Sequence, residues 1–195
     1  MIDTSCPGRT LALALPQSRL LDRGMRPRIR HPLKALLPLL LLGFTISPEA
    51  VAGAGFVDRV VIEKSTRTLK LLAGNETYRT YFVALGGAPQ GQKVQEGDQR
   101  TPEGVYSIVA RQPRSSFYKG LLLSYPNEQD QARAEALGVD PGGQIMIHGL
   151  RNGYEWMGER HRRQDWTEGC IAVTNQEIEE IWQLVDIGTP VEIRP

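Results

Sequence analysis

Hydrophobic and polar positions alternate along much of residues 57–195, and the alternation predicts a mainly β domain of short strands. Val57–Glu63 reads as a first strand with imperfect alternation. Thr68–Ala73 puts Leu69 and Leu71 on one face, and Gly74-Asn75 separates it from Thr77–Leu85 as a hairpin turn would. Further strands are expected at Val105–Ala110, Gly120–Ser124, Gln144–His148 and Pro190–Ile193. The period changes after Thr174-Asn175-Gln176-Glu177, which has the spacing of a capping box. Ile178, Ile181, Trp182 and Val185 then recur at helical spacing, so a helix is expected to pack on the sheet. A shorter helix is predicted from Asn127 through Ala132, Ala134 and Ala136 to a stop at Gly138. Gly86–Gly104, with five glycines and two prolines, reads as a loop long enough to carry function.

The first 52 residues break this pattern. Leu33–Ile46 is an apolar run interrupted by Lys34, Pro38, Gly43 and Thr45. It is shorter than the roughly 20 apolar residues that span a bilayer. Arg26, Arg28, Arg30, His31 and Lys34 precede or enter it and Ala50-Val51-Ala52 follows, the order of an export signal cleaved after Ala52. Met25 would open a signal of ordinary length and is the expected start. The alternative is an uncleaved anchor. The expected mature chain, residues 53–195, is one domain, and its expected location is the cell envelope, in the periplasm.

Export changes the charge. The whole chain carries a net +1, and removing seven basic and three acidic residues leaves 16 basic against 19 acidic, a net −3. Nucleic acid is therefore not an expected partner, and membrane contact is expected only through the export signal.

Export also changes what the cysteines mean. Of the two, Cys6 falls in the segment removed, so Cys170 stands alone in a compartment where cysteines normally pair. A lone thiol is either a small buried hydrophobe or a reactive group. His148, at the end of a predicted strand and followed by Gly149, is the candidate base that would activate it. Gly169 before Cys170 allows a tight turn, and the amides of both residues are candidates for an oxyanion hole. His161 is the weaker candidate base, because Glu159–Arg163 reads as a solvated charged loop. One cysteine and two histidines fall short of a structural zinc set, so no metal and no cofactor are expected. A dithiol redox role would need a second cysteine.

Several motifs, in order, carry a resemblance. Gly97-Asp98 and Thr101-Pro102-Glu103-Gly104-Val105-Tyr106 come first. Ser124-Tyr125-Pro126-Asn127 with Asp130, Pro141-Gly142-Gly143, Ile147-His148-Gly149, and Thr167-x-Gly169-Cys170-Ile171 follow. Together they resemble the catalytic domain of the L,D-transpeptidases, the YkuD family of bacterial cell-wall enzymes, from about Val57 to Ile193. Two positions depart from the family's common pattern, with Glu168 in place of a histidine and Ala172 in place of an arginine.

The resemblance implies a YkuD-type β-sandwich with one or two packed helices. It implies that Cys170 attacks a peptidoglycan tetrapeptide stem at its third residue while His148 moves the proton, releasing D-alanine. An amine acceptor would then give a 3→3 cross-link or, on an envelope lipoprotein, an anchored protein. Water as acceptor would make the same site a carboxypeptidase or endopeptidase, and a domain without turnover would be a peptidoglycan-binding module. Gly169, Gly149 and Thr167 are expected to support the turn and backbone. Arg151, Tyr125 and Trp166 are candidate substrate contacts, and Arg151, Arg162 or Arg163 would replace the charge missing at Ala172.

Overall fold

The computed structural model describes residues 57–195, and the predicted export signal lies outside the described residues. Eight strands, β1 (Arg59–Glu63), β2 (Thr68–Ala73), β3 (Glu76–Phe82), β4 (Gly104–Ser115), β5 (Tyr118–Leu123), β6 (Met146–His148), β7 (Ile171–Ala172) and β8 (Pro190–Arg194), form a sheet in the order β3-β2-β1-β8-β4-β5-β6-β7. Helix α1 (Glu128–Leu137) follows β5, and α2 (Asn175–Leu184) follows β7. A 3-10 segment, Glu155–Arg163, kinks at Gly158 between β6 and β7.

The fold is mainly β, as expected, and β4 explains how one sheet encloses a core. Its first residues, Gly104–Ser107, pair with β8, whereas Ile108–Ser115 pair with β5, so the 12-residue strand belongs to two ladders. The two ends of the strand order then meet. Ala84 bridges to Ala172 and Gly86 to Thr167, so the segment after β3 lies against β7 and the turn before it. Side chains from both ladders enter one core, including Ile62, Leu69, Leu71, Ile108, Leu121, Ile147 and Ile171. Each such side chain contributes about 1.5–3 kcal/mol by leaving water.

Both predicted helices form as their caps dictate. In α2, Thr174 Oγ1 accepts from the Glu177 amide and Glu177 Oε2 accepts from the Thr174 amide, while Ile178 and Ile181 are fully buried on the sheet. Helix α1 starts at Asn127 and ends at Gly138. No helix among the described residues is long and apolar enough to cross a membrane.

Candidate active site

Strands β6 and β7 run parallel in the register Ile147↔Ile171 and His148↔Ala172, which places Cys170 two residues before the partner of His148. Residues offset by two on adjacent strands share a face at about 7–8 Å, within side-chain reach. Ile147 and Ile171 are fully buried in the core and anchor both strands.

The turn into Cys170 is stapled by Thr167. Its hydroxyl donates to the Cys170 carbonyl at 2.7 Å and accepts from the Gly169 amide at 3.1 Å. Gly169 has φ +128°, and a Cβ there would lie 2.7 Å from the Arg100 carbonyl oxygen, so this position requires glycine twice over. The preceding segment is laid along the chain after β3: Trp166 and Thr167 donate to the Leu85 carbonyl, and Asp165 accepts from the Leu85 amide and from Arg67. Because the Gly169 amide is committed to Thr167, it is not a free oxyanion donor. The Cys170 amide has no acceptor among the described residues, so of the two expected donors it is the one left open.

His148 is 1% exposed, and its Nδ1 lies 2.7 Å from the Gly149 carbonyl oxygen. A carbonyl only accepts, so Nδ1 carries the proton and Nε2 keeps its lone pair. Gly149 leaves the room this needs. A Cβ there would come within 2.6 Å of Asn175 Oδ1 and 3.1 Å of Ile178, and Asn175 Oδ1 already accepts from the Leu150 amide at 2.8 Å. The ring packs on Phe117 at 4.6 Å between centroids and on Trp166 at 5.9 Å. Burial pushes the His148 pKa down to about 4, only partly opposed by the Gly149 bond.

The thiol is held neutral as well. Burial pushes the Cys170 pKa up, against the lowering effects of the Met146 amide and the Lys93 charge. The Cys170 thiol donates weakly to the Gln144 carbonyl at 3.6 Å, and no hydrogen bond joins sulfur and imidazole among the described residues. Both shifts run in the direction that favours thiol and neutral imidazole over an ion pair. Proton transfer would accompany attack, with the imidazole acting as general base.

Several expected positions fall elsewhere. Tyr125 is a core residue, 5% exposed, donating to the Pro141 carbonyl and packed edge-on against Tyr106, and it does not line the cavity beside the site. Arg162 is tied by its Nη2 to both carboxylate oxygens of Glu177 at 2.5 Å and is not free to replace the missing arginine. His161 is not on a solvated loop: it is 2% exposed, with Trp166 Nε1 donating to its Nδ1 at 3.5 Å. Trp166 and Arg151 do reach a cavity beside the site, and Arg163 lines it too. Glu168 is exposed and accepts from Gln99 on the long loop. Sequence reasoning missed Phe117, Asn175, Met146 and Lys93. Of these, only Lys93 lies in the long loop expected to carry function, while Met146 and Asn175 read as strand and helix-cap positions alone.

Among the described residues no cluster of three metal-ligating side chains occurs. A strand-borne histidine beside a Gly-Cys turn on a mainly β fold is the arrangement expected of a cysteine nucleophile with an adjacent base. The L,D-transpeptidase catalytic domain profile, YkuD, matches residues 57–193, and the chain belongs to that family.

Relatives place it within the family. The chain is 33% identical over 132 residues to YafK of Escherichia coli strain K12, whose name sets it among L,D-transpeptidases, covering 65% of this chain and 46% of YafK. It is 25% identical over 138 residues to YqjB of Bacillus subtilis strain 168, similarly named, covering 69% of each. Among solved structures, the helical cell shape determining protein Pgp2 from Campylobacter jejuni shares 27% identity at a TM-score of 0.52, over 71% of this chain and 49% of Pgp2. Bd1075 of Bdellovibrio bacteriovorus, at 23% identity and a TM-score of 0.51, shares the fold over 71% of this chain and 48% of its own. The chain spans about half the length of YafK and Pgp2.

Proposed function

We propose that this domain is an L,D-transpeptidase that works in the cell envelope after export, transferring an acyl group from a peptidoglycan tetrapeptide stem through Cys170. The observation that carries the reading is the His148 tautomer: its Nδ1 proton is held by the Gly149 carbonyl, leaving Nε2 as a base on the strand next to the cysteine. Family membership and the likeness to YafK and Pgp2 support the substrate class.

In the first half-reaction the thiol leaves the Gln144 carbonyl and gives its proton to His148 Nε2 as sulfur bonds to the carbonyl carbon of the third stem residue. The Cys170 amide donates to the developing oxyanion. The bond to D-alanine breaks, and its amine leaves with the proton from His148, giving a thioester. In the second half-reaction an acceptor amine attacks and passes its proton to His148. The thioester breaks, and Cys170 takes that proton back. A second stem as acceptor gives a 3→3 cross-link, and an envelope protein as acceptor gives an anchored protein.

The test is mass spectrometry of muropeptides after the exported domain acts on sacculi. New 3→3 dimers or protein-linked stems, lost in Cys170→Ala, are the expected result. Trimmed tripeptides alone would replace the amine acceptor with water, and unchanged muropeptides would overturn the assignment.

A further inference from the structure

The long loop before β4 holds a buried ion pair that the reaction above does not use. Lys93 is 3% exposed, and its Nζ donates to Asp98 Oδ1 at 2.8 Å and to the Gln95 carbonyl at 3.0 Å. Asp98 is held in turn by backbone: its Oδ2 accepts from the Val94 and Gln95 amides, and its Oδ1 from the Arg100 amide. Burial raises the Asp98 pKa, but the Lys93 bond and the three amides outweigh it and hold the carboxyl below its ordinary range. Apolar side chains in place of such a pair are often neutral or stabilising, so stability alone does not account for it.

The loop that this pair organises braces the Cys170 turn from two sides. On one side the Arg100 carbonyl abuts Gly169, where an added Cβ would lie 2.7 Å from that oxygen. On the other, the Glu96 amide donates to the Asp140 carbonyl at 2.8 Å and Glu96 lies against Gly142. Gln144, two residues further on, supplies the carbonyl that accepts from the Cys170 thiol. An ammonium has three N–H groups, and two of those on Lys93 are used, so the third has no acceptor among the described residues. Burial raises the Cys170 pKa, and the Lys93 charge opposes it. The other titratable groups of the surrounding elements are neutral, engaged or exposed. His148 on β6 is neutral above a pKa of about 4. Glu168 on the turn accepts from Gln99, Arg100 donates to the Gln92 carbonyl, Asp140 accepts from the Gly142 amide, and the Glu96 side chain is exposed.

We propose that Lys93 is a positioning residue for acyl transfer: held by Asp98, it fixes the loop against the Cys170 turn, and its ammonium supplies the positive charge that steadies the sulfur as the thiol proton passes to His148. The proposal rests on the reading of Cys170 as the nucleophile. As the S–H bond breaks, negative charge grows on a sulfur whose burial disfavours it, and a fixed cation nearby lowers the energy of that charge. The neutral thiol gains little from the same cation, so the effect favours the transition state over the resting state. Asp98 holds the ammonium in place and offsets part of its charge. The two members of the pair therefore act on the thiol with opposite sign, which a purely structural role in the loop would not produce.

The test is the pH profile of Cys170 alkylation by iodoacetamide in the folded domain, which needs no stem peptide. Lys93→Met is expected to move the profile to higher pH and to slow alkylation at about pH 8 by about fivefold or more, as loss of one nearby charge at an intermediate dielectric implies. Asp98→Asn leaves the ammonium unopposed and is expected to move the profile to lower pH. The double variant Lys93→Met with Asp98→Asn leaves no unpaired charge and is expected to fall between the parent and Lys93→Met; it decides the point if Lys93→Met alone does not fold, and urea midpoints show which variants are folded. An unmoved profile in the lysine variants, or shifts in the same direction for Lys93→Met and Asp98→Asn, would overturn the role. Muropeptide changes in sacculi alongside an unmoved profile would remove the role of Lys93 and leave the transpeptidase reading intact. A profile moved as expected without any muropeptide change would do the reverse.

Discussion

Replacing Gly149 with alanine tests how the base is held, and the structure sets the size of the effect. The new methyl would sit 2.6 Å from Asn175 Oδ1, 3.1 Å from Ile178 Cγ2 and 3.3 Å from the Phe117 carbonyl oxygen. Gly149 has no positive φ, so the penalty is one of space alone. Asn175 has to swing away, which strands the Leu150 amide it now caps at 2.8 Å, on a residue only 2% exposed. A stranded buried donor costs about 1–3 kcal/mol, and overpacking against Ile178 costs about 1–3 kcal/mol more. Gly149→Ala should therefore destabilise the domain by about 2–6 kcal/mol, on the order of 10 °C in melting temperature. A double-mutant cycle by chemical denaturation checks the cause. In an Asn175→Ala background the amide is already stranded, so the second substitution should cost about 1–3 kcal/mol less than it does alone. Additive energies, or a Gly149→Ala protein as stable as the parent, would refute the proposed contact.

Three further outcomes follow from the same geometry. Thr167→Val keeps the side chain's shape but removes both of its hydrogen bonds to the Cys170 turn, and should cost about 1–3 kcal/mol in denaturant unfolding and slow Cys170 acylation; an unchanged unfolding midpoint would remove the staple from the account. His148 and His161 are both held near pKa 4 against an ordinary 6.5. The unfolded chain therefore takes up protons first, and stability present above pH 6.5 falls as pH drops toward 4, by about 3 kcal/mol for His148 with His161 adding in the same direction. A urea midpoint equal at pH 7.5 and pH 4.5 would contradict this. Finally, burial raises the Cys170 pKa, so single-site alkylation by iodoacetamide should be slow at neutral pH and still climbing at about pH 9, whereas a plateau reached near pH 6 would point to a resting ion pair.

Much of the fold could be read from local pattern because its causes are local. Leu69 and Leu71 alternate onto one face and are fully buried, and the Thr174–Glu177 capping box starts α2 where its spacing says it should. The features that escaped depend on contacts distant in sequence. Strand β7 is two residues long and exists because β6 and Ala84 flank it, which no periodicity reveals. The run Glu159–Arg163 has the composition of a solvated loop, yet Trp166 and the 3-10 turn bury His161, and Glu177 claims Arg162. Tyr125 sits in a motif shared with the family but points its hydroxyl at Pro141 in the core. For the site, Cys170, His148 and their glycines were visible as residue types. The tautomer, the use of the Gly169 amide by Thr167 and the neutral charge state depend on burial and neighbouring backbone, and only the structure supplies these.

The central claim is that Cys170 carries the acyl group and that His148, neutral at rest, takes the thiol proton. Intact-mass measurement after rapid mixing of the domain with a tetrapeptide stem tests it most directly. The account predicts a mass gain equal to the stem less its D-alanine, confined to Cys170, absent in Cys170→Ala and strongly slowed in His148→Gln while that variant remains folded. An adduct that forms equally fast in His148→Gln, or one that maps to a residue other than Cys170, would contradict it.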